Sequence, residues 1–276
     1  MDAEPLSIGV LTDGALRRWQ IEALEQMVDV GAQIELIIVN GGEKSRIRYN
    51  LCRSPAYLLL AGSRELSVRL LGSHPYLKSI SVSEVELLEG TEQVRCMPIQ
   101  CSDFGQKLPQ SVVNEYCRDL DVLVRFGFGI VRGDVLDAPE YGVLSYHHGD
   151  IRKYRGRPAG FWEFMHDEDT IGVTLQQLTD ELDRGRVVQI KEFEIEENNT
   201  YQDILQTAYL GSIDMLAEAI VLIHKGEYDP TSLDNVGELY TAPAWSTSVN
   251  YFLKNTLRRS YNQYHTITEG RRNVKE

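Results

Sequence analysis

The chain has 276 residues, of which 42% are hydrophobic, and a formal net charge of -13. This composition predicts a globular protein with one large domain, or one domain with a small appendage. The acidic excess argues against a general nucleic-acid surface, because phosphate binding needs a basic field. No apolar run reaches the roughly 18 residues that span a membrane. The first residues lack a signal peptide's basic and apolar regions, so we expect a cytoplasmic protein that binds no membrane.

The four cysteines are Cys52, Cys96, Cys101 and Cys117. They form neither a CxxC pair nor the spacing of a disulfide framework. We therefore expect reduced thiols and not metal ligands.

The amino-terminal part of the chain alternates between apolar runs and a helical pattern. Residues 7–11 and 34–39 are short apolar runs, and between them apolar side chains recur at spacings of three and four up to Val30. A strand, a helix and a strand within about 35 residues form a βαβ unit. The pattern predicts an α/β fold: a Rossmann-like, open, mostly parallel sheet with helices on both faces.

Further elements are predicted along the middle of the chain. Residues 55–72 have a helical pattern, although the role of residues 43–93 stays open. A strand at 94–99, a helix at 109–118 and a strongly apolar strand at 121–126 follow.

Glycine and phenylalanine alternate directly after that last strand, in Phe126, Gly127, Phe128, Gly129, Ile130 and Val131. Glycines at such a place let the backbone bend sharply or approach a flat ligand closely. The spacing alone leaves both interpretations open.

Residues 142–185 hold most of the side chains that could carry chemistry. His147 and His148 follow a short apolar strand, a position where open α/β sheets place their active sites. Asp183 lies in the turn of a hairpin predicted from residues 172–175 and 187–193. A histidine beside a carboxylate suits acid–base work. A metal site formed by His147, His148, Asp150 and Asp183 is the weaker alternative, because adjacent histidines on a strand point apart.

The carboxyl-terminal part is predicted to be helical. Residues 200–225 form one long amphipathic helix capped by Thr200, residues 226–240 are linker-like, and residues 246–261 form a basic helix. We therefore divide the chain into a catalytic domain at 1–225 and a small, mainly helical region at 226–276.

Four motifs in residues 145–185 resemble those of the 10-formyltetrahydrofolate-dependent formyltransferases, a family that includes methionyl-tRNA, glycinamide ribonucleotide and sugar N-formyltransferases. In that family an Asn-x-His at a strand end is followed by a loop ending in RG, a GVT strand and an LDxG turn. This chain has SYH at 145–147, KYRG at 153–156, GVT at 172–174 and LDRG at 182–185. The order and spacing agree without a gap, and a looser likeness extends over residues 6–225.

The resemblance implies a reaction in which a substrate amine attacks the formyl carbon of 10-formyltetrahydrofolate. His147, Asp183 and Ser145 would be the catalytic residues: the first and last stabilise the oxyanion, and Asp183 supports His147. Residues 126–131 would contact the donor's pterin ring. We expect no metal. A small amine would be the acceptor, and the predicted substrate-binding residues are His148, Asp150, Arg152, Tyr154 and Arg155.

Two departures from the family pattern stand out. Ser145 occupies the asparagine position, and loss of an oxyanion donor typically costs a factor of about 10²–10³ in rate. The family's loop begins with SLLP, where this chain has GDIR at 149–152. A one-residue gap in the alignment would instead make His148 the catalytic histidine. The ungapped alignment, which we prefer, keeps the phase of the strand.

The substrate class follows from charge and length. The tRNA enzyme carries a carboxyl-terminal β-barrel, whereas the residues after 225 are predicted to be helical. With the acidic charge, this disfavours tRNA and favours a small metabolite such as an amino sugar nucleotide. Two alternatives remain: a formyltetrahydrofolate hydrolase, and a folate- or nucleotide-binding protein with an impaired site. Whether the protein is a monomer or a homodimer is left open.

Overall fold

A computed structural model of the chain describes residues 4–42, 74–181, 184–241 and 243–273, with residues 266–273 described by backbone only. The predicted helix at 55–72, Cys52 and Asp183 lie outside the described residues. The other three cysteines are free thiols, two of them buried.

Seven strands form the central sheet in the order β13-β12-β10-β8-β1-β3-β5. The strands are β1 (Leu6–Thr12), β2 (Ala15–Arg17), β3 (Ala32–Asn40), β4 (Ser79–Ser81), β5 (Glu92–Cys96), β6 (Ile99–Gln100), β7 (Gln106–Lys107), β8 (Val122–Phe126), β9 (Val131–Arg132), β10 (Val143–His147), β11 (Tyr154–Gly156), β12 (Thr170–Gln177), β13 (Arg186–Glu194) and β14 (Glu238–Tyr240). Strands β5, β3, β1, β8 and β10 pair in parallel, and β12 and β13 extend the sheet as an antiparallel hairpin.

The helices pack on this sheet. They are α1 (Arg18–Asp29), α2 (Gln110–Val112, continued by a π-helical turn at Val113–Cys117), α3 (Phe161–Met165), α4 (Tyr201–Gly211), α5 (Met215–Lys225) and α6 (Trp245–Asn273), with 3-10 turns at Pro75–Leu77, Val82–Glu84, Glu86–Leu88 and Asp134–Leu136. The Rossmann-like, mostly parallel sheet with flanking helices that we predicted is confirmed.

The core lies on both faces of the sheet. Successive side chains of a strand point to opposite faces, and neighbours such as Val124 and Leu123, or Leu144 and Val143, accordingly belong to two separate apolar clusters. Both faces of the central strands are buried, which explains why their sequences are continuous apolar runs and not alternating ones.

Several boundaries differ from the predictions. The first helix starts only at Arg18, because residues 15–17 pair with β4 as strand β2. The predicted helix 200–225 is two helices separated at residues 212–214. The linker-like segment ends in β14, which pairs with β11.

Residues 201–225 are also long and apolar enough to cross a membrane by length and composition alone. Half of the 18-residue apolar window within that stretch is buried inside the protein, however, and α5 packs against α1. Because a buried core helix passes the same test, this apolar stretch is explained by its packing in the core.

Helix α6 joins the same core. Tyr251 is 2% exposed, and its ring lies 5.4 Å from that of Phe161 and 5.5 Å from that of Tyr201, measured between centroids. Lys254 Nζ donates to the Phe164 carbonyl at 2.7 Å. The carboxyl-terminal helix is therefore packed onto the rest of the fold through α3 and α4.

Candidate active site

Three parallel strands end side by side at one edge of the sheet. Thr12 of β1 lies opposite Phe126 of β8, and β10 ends beside them at His147. The carboxyl ends of parallel strands are where open α/β sheets bind ligands. This edge therefore brings together the segments that the sequence singled out.

The segment after β8 is a loop with an unusual backbone, formed by Gly127, Phe128 and Gly129; we call it the Gly-Phe loop. All three residues have positive φ angles, of 103°, 60° and 68°. Asp13 Oδ1 accepts a hydrogen bond from the Phe128 backbone N–H at 3.1 Å, and a Cβ added at Gly127 would lie 2.9 Å from Asp13 Oδ2. Arg125 Nη1 donates to the carbonyls of Gly127, at 3.0 Å, and Gly129. These contacts hold a conformation that a phenylalanine rarely adopts.

The structure separates the predicted donor-binding residues into two groups. Phe126, Gly127 and Gly129 line a cavity at the strand ends. Phe128 and Val131 are instead buried in the apolar core, and Ile130 is exposed outside that cavity. The role of the whole segment in donor binding stays a prediction, and it can involve the backbone of the Gly-Phe loop but not the Phe128 ring.

The cavity has a volume of about 170 Å³. Its polar lining includes Ser145, Gln20, His148 and three arginines, Arg17, Arg125 and Arg157; we call it the arginine cavity. None of the described residues that line it is acidic. Ligand pockets commonly measure roughly 300–1,000 Å³, so this space fits the reacting end of a ligand. Its positive charge favours an anion.

His148 lies in the aromatic wall of the arginine cavity. Its ring centroid lies 5.1 Å from that of Trp19 and 4.2 Å from that of Tyr209. Burial, with a smaller contribution from His147 and Arg17, lowers the pKa of His148 to about 3. The ring is therefore neutral at physiological pH and cannot act as a cationic acid. Its Nε2 has no hydrogen-bond partner among the described residues.

His147 is half-buried and lines a second, smaller space, which His148 also borders. Its Nε2 is 2.9 Å from the Tyr154 carbonyl oxygen. Because a carbonyl only accepts, this nitrogen carries the proton, and Nδ1 is left as the acceptor of the neutral ring. His147 and Ser145, two residues apart on β10, share a face of the strand. They line different spaces, however, and only His148 borders both.

Glu163 of α3 lines the small space beside His147 and was missed by the sequence predictions. It is 3% exposed, and its Oε1 has no hydrogen-bond partner among the described residues. A Cβ placed on Gly149 would lie 2.9 Å from His147 Nε2 and 3.4 Å from Glu163 Oε1, so the imidazole and the carboxyl group flank the same glycine. The available signal was the one charged residue in the run FWEFM at 161–165.

Burial raises the pKa of Glu163 to about 7, and the charges of Glu168 and Asp150 add to this effect. The folded protein therefore holds a proton that the unfolded chain releases above pH 4.5. We expect the native protein to lose up to about 3 kcal/mol of unfolding free energy relative to Glu163→Gln as pH rises from 5 to 8. Urea titrations of both proteins across this range measure the difference. A constant difference would contradict the raised pKa.

Several side chains of the loop after β10, at residues 150–155, bind other groups of the protein. Asp150 binds Arg152 through both carboxylate oxygens, at 2.8 Å each, and Arg152 also pairs with Glu192. Tyr154 Oη lies 2.8 Å from His166 Nδ1, and Arg155 Nε donates to the Gly237 carbonyl at 2.6 Å.

Of the five predicted substrate-binding residues, the structure therefore places His148, Tyr154 and Arg155 around the two spaces, and Asp150 and Arg152 in a separate ion pair. Within the described part of the chain, no three His, Cys, Asp or Glu side chains lie close enough to hold a metal ion. Asp183, the predicted partner of His147, is not among the residues described, and its role stays a prediction.

Part of the chain is similar in sequence to known proteins. Residues 90–219 match the family model described as formyl transferase. The methionyl-tRNA formyltransferase of Borrelia turicatae is 33% identical over 108 residues, which are 38% of this chain and 35% of that protein. That of Bacillus thuringiensis is 27% identical over 111 residues, 40% of this chain and 35% of that protein. The matched segment thus spans about a third of the length of these relatives.

Solved structures resemble the chain more widely. The N-formyltransferase from Helicobacter canadensis, in complex with folinic acid and dTDP-3-aminofucose, has a TM-score of 0.52 at 13% identity, covering 85% of this chain and 70% of that one. Glycinamide ribonucleotide transformylase 1 from Symbiobacterium toebii has a TM-score of 0.51 at 18% identity, covering 84% and 96%. At these identities the likeness establishes the fold. The resemblance to the formyltransferases is thereby confirmed: the chain has their fold, and residues 90–219 carry the sequence pattern of the formyl transferase family.

Proposed function

We propose that the protein is an N-formyltransferase that moves the formyl group of 10-formyltetrahydrofolate to the amine of a small, anionic metabolite. The observation that carries the proposal is the end of β10, where Ser145 lines the arginine cavity and His147 lines the adjoining small space, inside the segment that matches the family. The solved relative in complex with folinic acid and an amino sugar nucleotide supports this choice of donor and acceptor class.

In the proposed reaction the amine nitrogen attacks the formyl carbon, and a tetrahedral intermediate forms with a negative charge on the formyl oxygen. The bond from that carbon to N10 of the folate then breaks, N10 takes up a proton, and the attacking nitrogen loses one. Hydrogen-bond donors near Ser145 would stabilise the oxyanion. His147, whose Nε2 is committed to the Tyr154 carbonyl, would take up the amine proton at Nδ1, and Asp183 would relay that proton onward.

The arginine cavity supports an anionic acceptor. Arg17, Arg125 and Arg157 border it in a chain whose net charge is -13, so the positive field is local. A phosphate or diphosphate on the acceptor would satisfy that field. The same features favour a small metabolite over tRNA, which would need an extended basic surface.

The test is formyl transfer from 10-formyltetrahydrofolate to amino sugar nucleotides, to other aminophosphates and to aminoacyl-tRNA, with the formylated product detected by mass spectrometry. We expect turnover of an anionic small amine, and Arg157→Gln should raise its KM about tenfold or more by removing a charged contact. Arg118→Gln is the matched control, because Arg118 is exposed directly after the π-helical turn of α2 and does not line the arginine cavity. Formate release without any amine would instead identify a hydrolase, and donor binding without turnover an impaired site. No binding of 5-formyltetrahydrofolate by calorimetry would refute the proposal.

A further inference from the structure

Ser145, which occupies the family's asparagine position, has a charged side chain in contact with its hydroxyl group. Strands β8 and β10 pair in parallel with Leu123 opposite Val143 and Val124 opposite Leu144, so Arg125 is the neighbour of Ser145 across the ladder. Arg125 Nε donates to Ser145 Oγ at 3.2 Å. A guanidinium is thus in direct contact with the hydroxyl group at the position expected to stabilise the oxyanion.

The contacts of Arg125 fix its position. Nη1 donates to the carbonyls of Gly127 and Gly129, and Nε donates to Ser145. One side chain therefore links the Gly-Phe loop to β10. An arginine stays charged at every physiological pH and holds its donors in a rigid plane. A permanent positive charge consequently borders the arginine cavity at the point where Ser145 faces it.

This contact changes what the serine can do. Ser145 Oγ accepts from Arg125 and donates its own proton to the Tyr146 carbonyl over a long distance of 3.5 Å, a weak bond that an oxyanion can replace. A hydroxyl that accepts from a cation becomes a stronger donor, because hydrogen bonds in a chain polarise one another. Donors and charges fixed before reaction stabilise a developing oxyanion most.

We propose that Arg125 is a positioning residue that acts through Ser145: it orients and polarises the serine hydroxyl, and the pair replaces the asparagine amide of the family. This inference rests on the proposed formyl transfer. It accounts for a serine that by itself is shorter than asparagine and donates one hydrogen bond.

The test compares Arg125→Met, Ser145→Ala, Ser145→Asn and the double variants Arg125→Met/Ser145→Ala and Arg125→Met/Ser145→Asn in the full-length protein. We expect Arg125→Met and Ser145→Ala each to lower kcat by about 10²–10³ with the amine KM changed only a few-fold. Their combination should be no slower than either single change, as for groups that act as a unit. Ser145→Asn should restore kcat at least tenfold in the Arg125→Met protein, since it supplies the missing amide.

Calorimetry with 5-formyltetrahydrofolate separates this role from one in which Arg125 only stabilises the backbone of the Gly-Phe loop. Donor affinity within a few-fold of native in Arg125→Met supports the proposal. An affinity loss as large as the loss in kcat/KM, multiplicative effects of the two single changes, or no rescue by Ser145→Asn would each overturn it while native turnover leaves the proposed function intact. A native protein that transfers formyl to no amine would remove the proposed function and this inference together.

Discussion

Replacing His147 with alanine is expected to lower kcat/KM for formyl transfer by about 10²–10⁴, the contribution usual for a positioned acid–base group. The imidazole lies at the end of β10, at the sheet edge where we propose that the reaction occurs, and its Nε2 is fixed by the Tyr154 carbonyl. After the ring is removed, the small space still contains the carboxyl group of buried Glu163, whose pKa is raised to about 7. Steady-state kinetics with a saturating donor measure the loss.

The matched variant is His148→Phe, which tests the alternative alignment. His148 is neutral and packs against Trp19 and Tyr209, so a phenylalanine preserves its stacking. We expect a loss of less than about tenfold, from the polar edge that it presents to the arginine cavity. If His148→Phe were as damaging as His147→Ala, or more so, the one-residue gap would be the correct alignment and the catalytic histidine would be His148.

Much of the fold could be predicted because its signals are local. The apolar runs that became β1, β3 and β8 are buried on both faces, and a strand buried in this way leaves the same continuous signature in any sequence. The helical period before Val30 and the hairpin around residues 172–193 are equally local patterns. Boundaries were less certain, as at residues 15–17, where pairing with β4 overrides a helical pattern.

The parts of the site that escaped prediction depend on contacts between distant segments. Arg125 and Ser145 are 20 residues apart, and only the parallel register of β8 and β10 makes them neighbours. The Gly-Phe loop could be recognised as a turn, but its support by Asp13 comes from a residue 115 positions away. Glu163 gave a weak signal because a single glutamate in an aromatic run is ordinarily exposed.

A basic run in the sequence does not by itself show which arginines border a cavity. Asp150 and Arg152 form an ion pair at 2.8 Å, and their part in substrate binding stays a prediction. The arginines that border the arginine cavity come instead from β2, β8 and the residue after β11. Positive charge collected from three places in the chain cannot be read from any one basic run.

The second large effect is expected at Tyr251, where Tyr251→Ala should lower the free energy of unfolding by about 3–5 kcal/mol. The side chain is 2% exposed, and it packs against Phe161, Phe164 and Tyr201, so truncation leaves a cavity that the surrounding rings cannot fill. Urea unfolding followed by circular dichroism measures the change. Since Phe161 and Phe164 flank Glu163 on α3, the same truncation should also disturb the space beside His147 and lower kcat.

Tyr261→Ala on the same helix is the control, because that side chain is 46% exposed and its removal should change stability by less than about 0.5 kcal/mol. A small effect at both positions would mean that α6 is an appendage and that residues 226–276 are a separate region, as the sequence alone indicated. A large effect at Tyr251 alone would mean that the carboxyl-terminal helix is part of the catalytic core. Through the contacts that Tyr251 and Lys254 make with α3, the helix would then help to set the position of the Glu163 carboxyl group beside His147.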